Sequence, residues 1–329
     1  AFHKKYNNNI MKNIYSNIFK LNNQNLAKAL IFLKKNHVIA VPTETVYGLA
    51  ANAYSKNSIK KIYKLKKRPA YNPLIIHYNN LKKLRQDVII NNNFLKLYRK
   101  FCPGPLTFIL KKKKGSKLSE IANAKLNTVA IRFPKNKEIK RILKKLSFPL
   151  AIPSANISGG ISPIKSSDVA EEFGKKIQMI IEGGICKIGI ESTVVDLTNK
   201  IKILRPGYIN KKQISKVLNI KILSSNKSKK IISPGMLKKH YSPGIPMKLN
   251  QKKSFKKQAF ITFGNKYKDD TNTFNLSKKS NLIEAARNLY KILRIIKKKK
   301  YKKIYVAKIP NKNIGIAIND RLKHAAMSK

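Results

Sequence analysis

The chain has 329 residues, 42% of them hydrophobic, and sets 72 Lys and Arg against 14 Asp and Glu, a formal net charge of +58. That length exceeds what one domain usually needs and the apolar share supports a packed core, so two folded domains are expected and a wholly disordered chain is excluded. No apolar run approaches the ~18 residues of a membrane-spanning helix, and the opening AFHKKYNNNIMKNIYSNIF has no apolar core of secretory length. Met11 is a candidate start, and residues 1–20 are set aside as an N-terminal extension. The basic charge fits a polyanion binder. Its spread over the whole chain, rather than in one stripe or tail, favours instead the lysine, asparagine and isoleucine bias of an AT-rich genome. On either reading a pocket in this chain attracts anions. Cys102 and Cys186 form no CxxC and have no clustered histidine; they signal neither zinc nor a disulfide framework, consistent with a reducing cytoplasm.

In chain order, NLAKALIFLKKN (25–36) reads as a helix and Val38 to Val41 as a strand that ends in the turn VPTETVYGLAAN (41–52). Ser58 to Lys67 is helical, with Ile59, Ile62 and Tyr63 on one face. PLIIHY (73–78), PLTFIL (105–110), TVAIRF (128–133), FPLAIP (148–153), MIIEGG (179–184), STVVDL (192–197) and KIKILR (200–205) read as strands. The last two are separated by TNK and predict an antiparallel hairpin. NKEIKRILKKL (136–146) and DVAEEFGKKI (168–177) are helical insertions, so residues 21–221 form an α/β domain on a twisted mixed sheet. Residues 222–250, rich in Ser, Pro and Lys, read as a linker. A small α/β unit follows over 251–329, with strands AFITFG (259–264) and KIYVAKI (303–309), helix LIEAARNLYKILRII (282–296) and a last helix in GIAINDRLKHAA (315–326).

The familiar catalytic signatures GxxxxGK[ST], GxGxxG, HExxH and GxSxG are absent. Instead, polar clusters stand at predicted strand ends, where ligands of α/β sheets bind. They are Thr43, Glu44, Thr45 and Tyr47; Lys66, Arg68, Asn72 and His77; Thr128 and Arg132; Ser154, Asn156 and Ser162; Glu191, Ser192 and Thr193; and Arg205. Lys66 and Arg68 alone would be explained by the helix dipole, SANISGG by an ordinary turn, and His77 by packing. Arg132 in VAIRFP is the wrong side chain for a buried strand unless it meets an anion, which makes it the candidate for gripping a carboxylate. The set supplies cations, hydroxyls and an amide without a nucleophile–base pair, so chemistry by positioning and charge stabilisation is expected.

Taken together, VPTETVYGLAANA, KKRPAYNPLIIH, CPGPLTFIL, NTVAIRFP, LAIPSANISGGISP, GIESTVVDL and ILRPG resemble, in order, the threonylcarbamoyl-AMP synthases built on the YrdC-like domain. SPGMLKKHYSPGIP (233–246) resembles the linker of the family's long form, and AINDRLKHAA (317–326) the end of its C-terminal domain. The resemblance implies a YrdC-like domain, a linker acting as a lid and a small Rossmann-like α/β domain. It implies the reaction of L-threonine, bicarbonate or CO2 and ATP to L-threonylcarbamoyl-AMP and pyrophosphate. The product feeds t6A modification of tRNAs that read ANN codons, with other proteins of a threonylcarbamoyl-transfer machinery completing it. By the same resemblance Thr45, His77, Arg132 and Ser192, with the backbone near Ile152, would hold L-threonine. Arg68, Asn72, Thr128, Ser154, Asn156, Ser162 and Arg205 would hold ATP, with Tyr241 reaching in from the linker. Lys66 and Arg68 would be catalytic, and Mg2+ would ride on the ATP phosphates. A non-catalytic RNA- or tRNA-binding module is the rival reading, and a carbamoyltransferase a third; RNA binding does not require the threonine set, and the accompanying regions of carbamoyltransferases are not visible.

Overall fold

A computed structural model describes residues 14–222, 233, 235, 240–253 and 255–327. Most of the expected N-terminal extension and the linker segments 223–232, 234 and 236–239 lie outside the described residues. The strands are β1 (Ile18–Lys20), β2 (Ile39–Val41), β3 (Gly48–Asn52), β4 (Ile75–His77), β5 (Leu106–Lys111), β6 (Thr128–Arg132), β7 (Leu150–Ala151), β8 (Ile180–Glu182), β9 (Thr193–Asp196) and β10 (Lys202–Arg205). They form one mixed sheet in the order β1-β8-β2-β3-β7-β4-β6-β5-β9-β10. As the TNK spacing predicts, β9 and β10 are antiparallel, with a register shift between Ile203 and Arg205.

Both faces of this sheet are covered, which explains why β2 and β5 are buried along nearly their whole length. The helices α1 (Asn23–Lys34) and α5 (Lys137–Lys145) bring Ala29, Leu33, Ile139, Ile142 and Leu143 onto Ile39, Val41 and Leu150 on one face. The helices α2 (Lys56–Lys66), α4 (Asn92–Phe101) and α6 (Ser166–Phe173) pack Ile59, Ile62, Phe94, Leu97, Val169 and Phe173 onto the other, together with Ala40 and Phe108. Neighbouring residues of β2 thus go to opposite layers, as the pleat requires. Each fully buried aliphatic or Phe side chain contributes about 1.5–3 kcal/mol. Two short helices complete the domain, α3 (Leu81–Leu84) and α7 (Lys211–Leu218).

The second sheet is wholly parallel, in the order β11 (Met247–Lys248), β14 (Ile304–Val306), β12 (Ala259–Thr262), β13 (Thr273–Asn275). It packs with α8 (Leu282–Lys298) and α9 (Gly315–Ala326). In α8, Ala285, Ala286, Leu289, Tyr290, Leu293 and Ile296 make the buried stripe at helical spacing. Asparagines cap the N-termini of six helices: Asn22, Asn80, Asn91, Asn136, Asn210 and Asn281 each accept a backbone N–H through the side chain. Among the described residues no helix is long and apolar enough to cross a membrane.

Several boundaries differ from the sequence reading. Ile18–Lys20, set aside with the extension, is an edge strand parallel to β8. GLAAN, read as part of a turn, is β3, antiparallel to β2; its small residues carry little strand propensity, and pairing alone makes it a strand. The helix read as 168–177 ends at Phe173 and continues as a single 3-10 turn, Gly174–Lys176. Met247–Lys248 belongs to the second sheet rather than to the linker, and both it and β13 are too short to show a period of two.

Candidate active site

The register of three neighbouring strands builds the floor of the site. His77 of β4 pairs with Arg132 of β6, and Arg132 pairs with Thr107 of β5, so the three side chains form one row on one face. All three are buried. Ser192, one residue before β9, closes the row: its hydroxyl lies 2.7 Å from the Thr107 hydroxyl. From the other side Arg205 donates through Nη2 to the Ser192 hydroxyl at 3.1 Å and through Nε to the Ser192 carbonyl at 3.0 Å. Ser192 therefore joins the residues expected on L-threonine to a residue expected on ATP. Gly207 permits this junction, because a Cβ there would stand 2.4 Å from the Thr193 nitrogen.

Arg132 meets the anion that its burial demands within the chain itself. Its Nη2 is 2.7 Å from Glu44 Oε1, and its Nε donates to the Gly104 carbonyl at 3.3 Å. Glu44 Oε2 accepts the backbone N–H groups of Lys135 and Asn136 at 3.0 and 3.3 Å. Burial would raise the Glu44 pKa, but the Arg132 charge and these donors outweigh it and hold the carboxyl below its ordinary value. Glu44 thus ties the loop between β2 and β3 to the end of β6. Thr45, in the same loop, is fully buried with its hydroxyl 2.9 Å from that of Thr43. Burial, with Arg132 nearby, pushes His77 well below the usual histidine range, so its ring is neutral. Nδ1 faces the Ile75 carbonyl at 3.2 Å, and Nε2 is buried with no hydrogen-bond partner among the described residues. Ile152 contributes through its backbone, its N–H donating to the Ile75 carbonyl.

The second group lies behind the end of α2. Lys66 is 1% exposed, and its Nζ donates to the carbonyls of Ser154 and Asn156 at 2.5 and 2.6 Å. Burial, reinforced by Arg68, pushes its pKa well below the ordinary lysine value. In this structure the amine of Lys66, expected to be catalytic, holds the SAN turn in place. Arg68 donates to the carbonyls of Asn72 and Pro73 and to Asn72 Oδ1; burial, with Arg205 acting in the same direction, lowers it to about 10. Thr128 opens β6 at the end opposite Arg132, and Ser154 bridges to Gly48.

Ser162, expected on ATP, is fully buried and donates its proton to Glu191 Oε1 at 2.5 Å. Glu191 also accepts from the Tyr290 hydroxyl (2.9 and 3.0 Å) and pairs with Arg321 Nε at 2.9 Å, both from the second domain. Burial would raise this carboxyl; Arg321, Arg205 and the Ser162 bond outweigh it and hold the pKa at about 2. Tyr241, with φ at +63°, lies 1% exposed against Tyr290 and under the Arg321 guanidinium. The neighbouring Ser242 N–H donates to the Gly159 carbonyl, which docks this strap on the SANISGG turn. His240 beside it is pushed down to about 3 by burial, with the charges of Arg68, Lys66 and Arg205 adding to the shift.

Asn72 Nδ2, His77 Nε2, Asn156 Oδ1, His240 Nδ1 and Tyr241 Oη are all buried with no hydrogen-bond partner among the described residues. Orphan polar atoms of this kind each cost about 1–3 kcal/mol; clustered in one region they make a cradle for a polar ligand. Sequence reasoning missed Thr107, His240, Tyr290 and Arg321. Thr107 had one signal, a hydroxyl within an otherwise apolar strand. Arg321 had none, since its carboxylate partner is 130 positions away.

The family model described as telomere recombination, covering the Sua5, YciO and YrdC proteins, matches residues 31–207. The model for the C-terminal domain of threonylcarbamoyl-AMP synthase matches residues 209–327. The threonylcarbamoyl-AMP synthase of Pyrococcus abyssi is 35% identical over 90% of this chain and 92% of its own. That of Bacillus subtilis is 42% identical over 60% of this chain and 57% of its own. The crystal structure of P. abyssi Sua5 complexed with L-threonine superposes with a TM-score of 0.86, at 32% identity, over 94% of this chain and 96% of that one. With both domains matched in order and nearly the whole chain aligned, this chain belongs to the two-domain threonylcarbamoyl-AMP synthase family.

Proposed function

We propose that the chain condenses L-threonine, CO2 or bicarbonate and ATP into L-threonylcarbamoyl-AMP, releasing pyrophosphate. The observation that carries this reading is the junction at Ser192, where the His77–Arg132–Thr107 row meets Arg205. An amino acid held on the row would place its amine beside a nucleotide held by the cations. The P. abyssi Sua5 crystal structure, described as complexed with L-threonine, supports the amino acid.

In this reading the Arg132 guanidinium, oriented by Glu44, binds the threonine carboxylate. The neutral His77 offers its Nε2 lone pair to the substrate's hydroxyl or amine. The neutral amine nitrogen attacks CO2, one C–O π bond opens onto oxygen, the nitrogen passes its proton to His77 Nε2 and thence to water, and a carbamate forms. A carbamate oxygen then attacks the α-phosphorus of ATP in line; the bond to the bridging oxygen breaks, and pyrophosphate leaves. Arg68 and Arg205 stabilise the charge on the phosphate oxygens. Asn72, Thr128, Ser154 and Asn156 orient the nucleotide, and Tyr241 seals it from water. Lys66 acts by holding the SAN turn. Among the described residues no group of three or more His, Cys, Asp or Glu could hold a metal ion. Mg2+ would be held by the ATP phosphates and would neutralise their charge there. The product passes to the machinery that transfers threonylcarbamoyl to tRNA. A cytoplasmic place for the reaction accords with two free cysteines.

The test is pyrophosphate release from ATP by the full chain. Release that requires both L-threonine and bicarbonate is the expected result. A folded sample that binds RNA but releases no pyrophosphate would favour the binding-module reading and overturn this one.

A further inference from the structure

The chain has few carboxylates, yet four of those in the first domain face cations of the second. Asp168, Glu171 and Glu172 of α6 meet Arg294 and Lys298 of α8, and Glu191 meets Arg321 of α9. Arg294 also donates to the Ile161 carbonyl at 2.7 Å, within the turn that carries Asn156 and Ser162. The first three acids join helix surfaces and serve docking. Glu191 differs, because it lies between the second domain and the candidate site. One of its oxygens takes the Ser162 hydroxyl and the other takes Arg321, while Tyr290 touches both.

Arg321 is 1% exposed and contacts three segments of the site at once. Its Nε and Nη2 reach the side chain and carbonyl of Glu191 at 2.9 and 3.4 Å. Its Nη1 donates to the Pro206 carbonyl at 2.8 Å, one residue beyond Arg205. The guanidinium carbon stands 5.1 Å over the Tyr241 ring. Asp320 supplies a second carboxylate at 2.7 Å, so the cation is compensated without the site. Pure domain adhesion needs none of this convergence: the α6–α8 pairs already supply it. Of the residues that Arg321 touches, Glu191 accepts the Ser162 proton, Pro206 follows Arg205 and Tyr241 is itself expected on the nucleotide; Glu191 also precedes Ser192, but the His77–Arg132–Thr107 row receives no contact from Arg321 among the described residues.

We propose that Arg321, with Tyr290, is a positioning residue for the nucleotide. It acts across the domain boundary by fixing Glu191, and through it Ser162, and by fixing the Pro206 turn that carries Arg205. The second domain is then a brace for half of the site. The proposal rests on the reading of that half as the ATP side.

The experiment uses the full chain and the variants Arg321→Lys, Tyr290→Phe, Glu191→Gln and Arg321→Lys with Glu191→Gln. Pyrophosphate release is measured against ATP at saturating L-threonine and bicarbonate, and against L-threonine at saturating ATP. Hydrogen exchange of residues 157–163 and 190–193 is followed on the same samples without substrates. Arg321→Lys keeps the charge and loses the fork; the KM for ATP is expected to rise roughly ten- to hundredfold, the range for losing a bond to a charged group. The KM for L-threonine should change by less than about threefold, and exchange should quicken in both segments. Tyr290→Phe keeps the ring stack, tolerates folding, and should show the same split more weakly. The double variant should be no worse than Arg321→Lys alone. Equal rises in both KM values, unchanged exchange, or multiplying effects in the double variant would overturn the proposal. A wild-type chain without threonine-dependent release would overturn the assigned reaction instead, with the exchange arm still reporting on the brace.

Discussion

Replacing Glu44 by Gln tests the reasoning about Arg132 most directly. Both residues are buried and share a 2.7 Å bond. The glutamine oxygen can face either Arg132 Nη2 or the N–H groups of Lys135 and Asn136, and its amide then presents a donor to the other. Arg132 is also left as a buried cation without a counter-charge, a loss of about 3–5 kcal/mol when one partner of a buried pair is removed. With a urea slope of about 3 kcal/mol/M the unfolding midpoint should fall by roughly 1–1.7 M. The chain lacks tryptophan, so circular dichroism is the probe. The double change Glu44→Gln with Arg132→Met removes the stranded charge and should recover more than half of the loss, yet it should abolish L-threonine-dependent pyrophosphate release. A midpoint for Glu44→Gln within about 0.3 M of wild type would refute the assignment of the pair as buried and coupled. Full activity in the double variant would refute Arg132 as the carboxylate grip.

Lys66→Met leaves the Ser154 and Asn156 carbonyls without their donor; adenylate formation should drop about tenfold or more, with a stability loss of about 2 kcal/mol, read from turnover and thermal melting. Gly48→Ala places a Cβ 2.3 Å from Ile152 Cγ2 and 2.8 Å from the Pro153 carbonyl; a loss of about 2–3 kcal/mol is expected and should appear as a lowered melting temperature. Burial holds His240 neutral down to about pH 3. Below about pH 6.5 the unfolded chain binds a proton that the folded one refuses, so stability should fall from there toward pH 3. His240→Gln should flatten that part of the urea-midpoint profile, and an unchanged profile would show that His240 is exposed in solution.

The alternating and apolar strands were legible because a sheet covered on both faces writes itself as hydrophobic runs. The polar strand ends were legible too: Arg132 in VAIRFP and Glu191 before STVVDL are costly residues in such places, which marks them without any alignment. What each one touches was not legible. Arg132 called for an anion, but that Glu44 supplies it depends on the loop between β2 and β3 folding back over β6. Glu191 stood out as a rare carboxylate, while its cation, Arg321, sits on a helix whose amphipathic pattern explains its neighbours and not itself. Ser162 and Lys66 fitted ligand roles by type, yet the fold turns the first toward Glu191 and the second toward loop carbonyls. β3 (GLAAN), β11 (MK) and β13 (TFN) were missed because two to five residues are too few to show a period of two; neighbouring strands impose their extension.

The asparagine caps have a consequence for how the protein meets acid. Helix ends are often held by aspartate, which lets go when protonated. Here six are held by amides, which do not titrate. Lowering the pH thus leaves these six helix termini tied and acts on the few buried groups whose protonation state the fold dictates, Glu44, Glu191, His77 and His240 among them. Those groups line the candidate site and the domain boundary. Acidification should therefore loosen this protein from its working centre outward, with the helices retained until late.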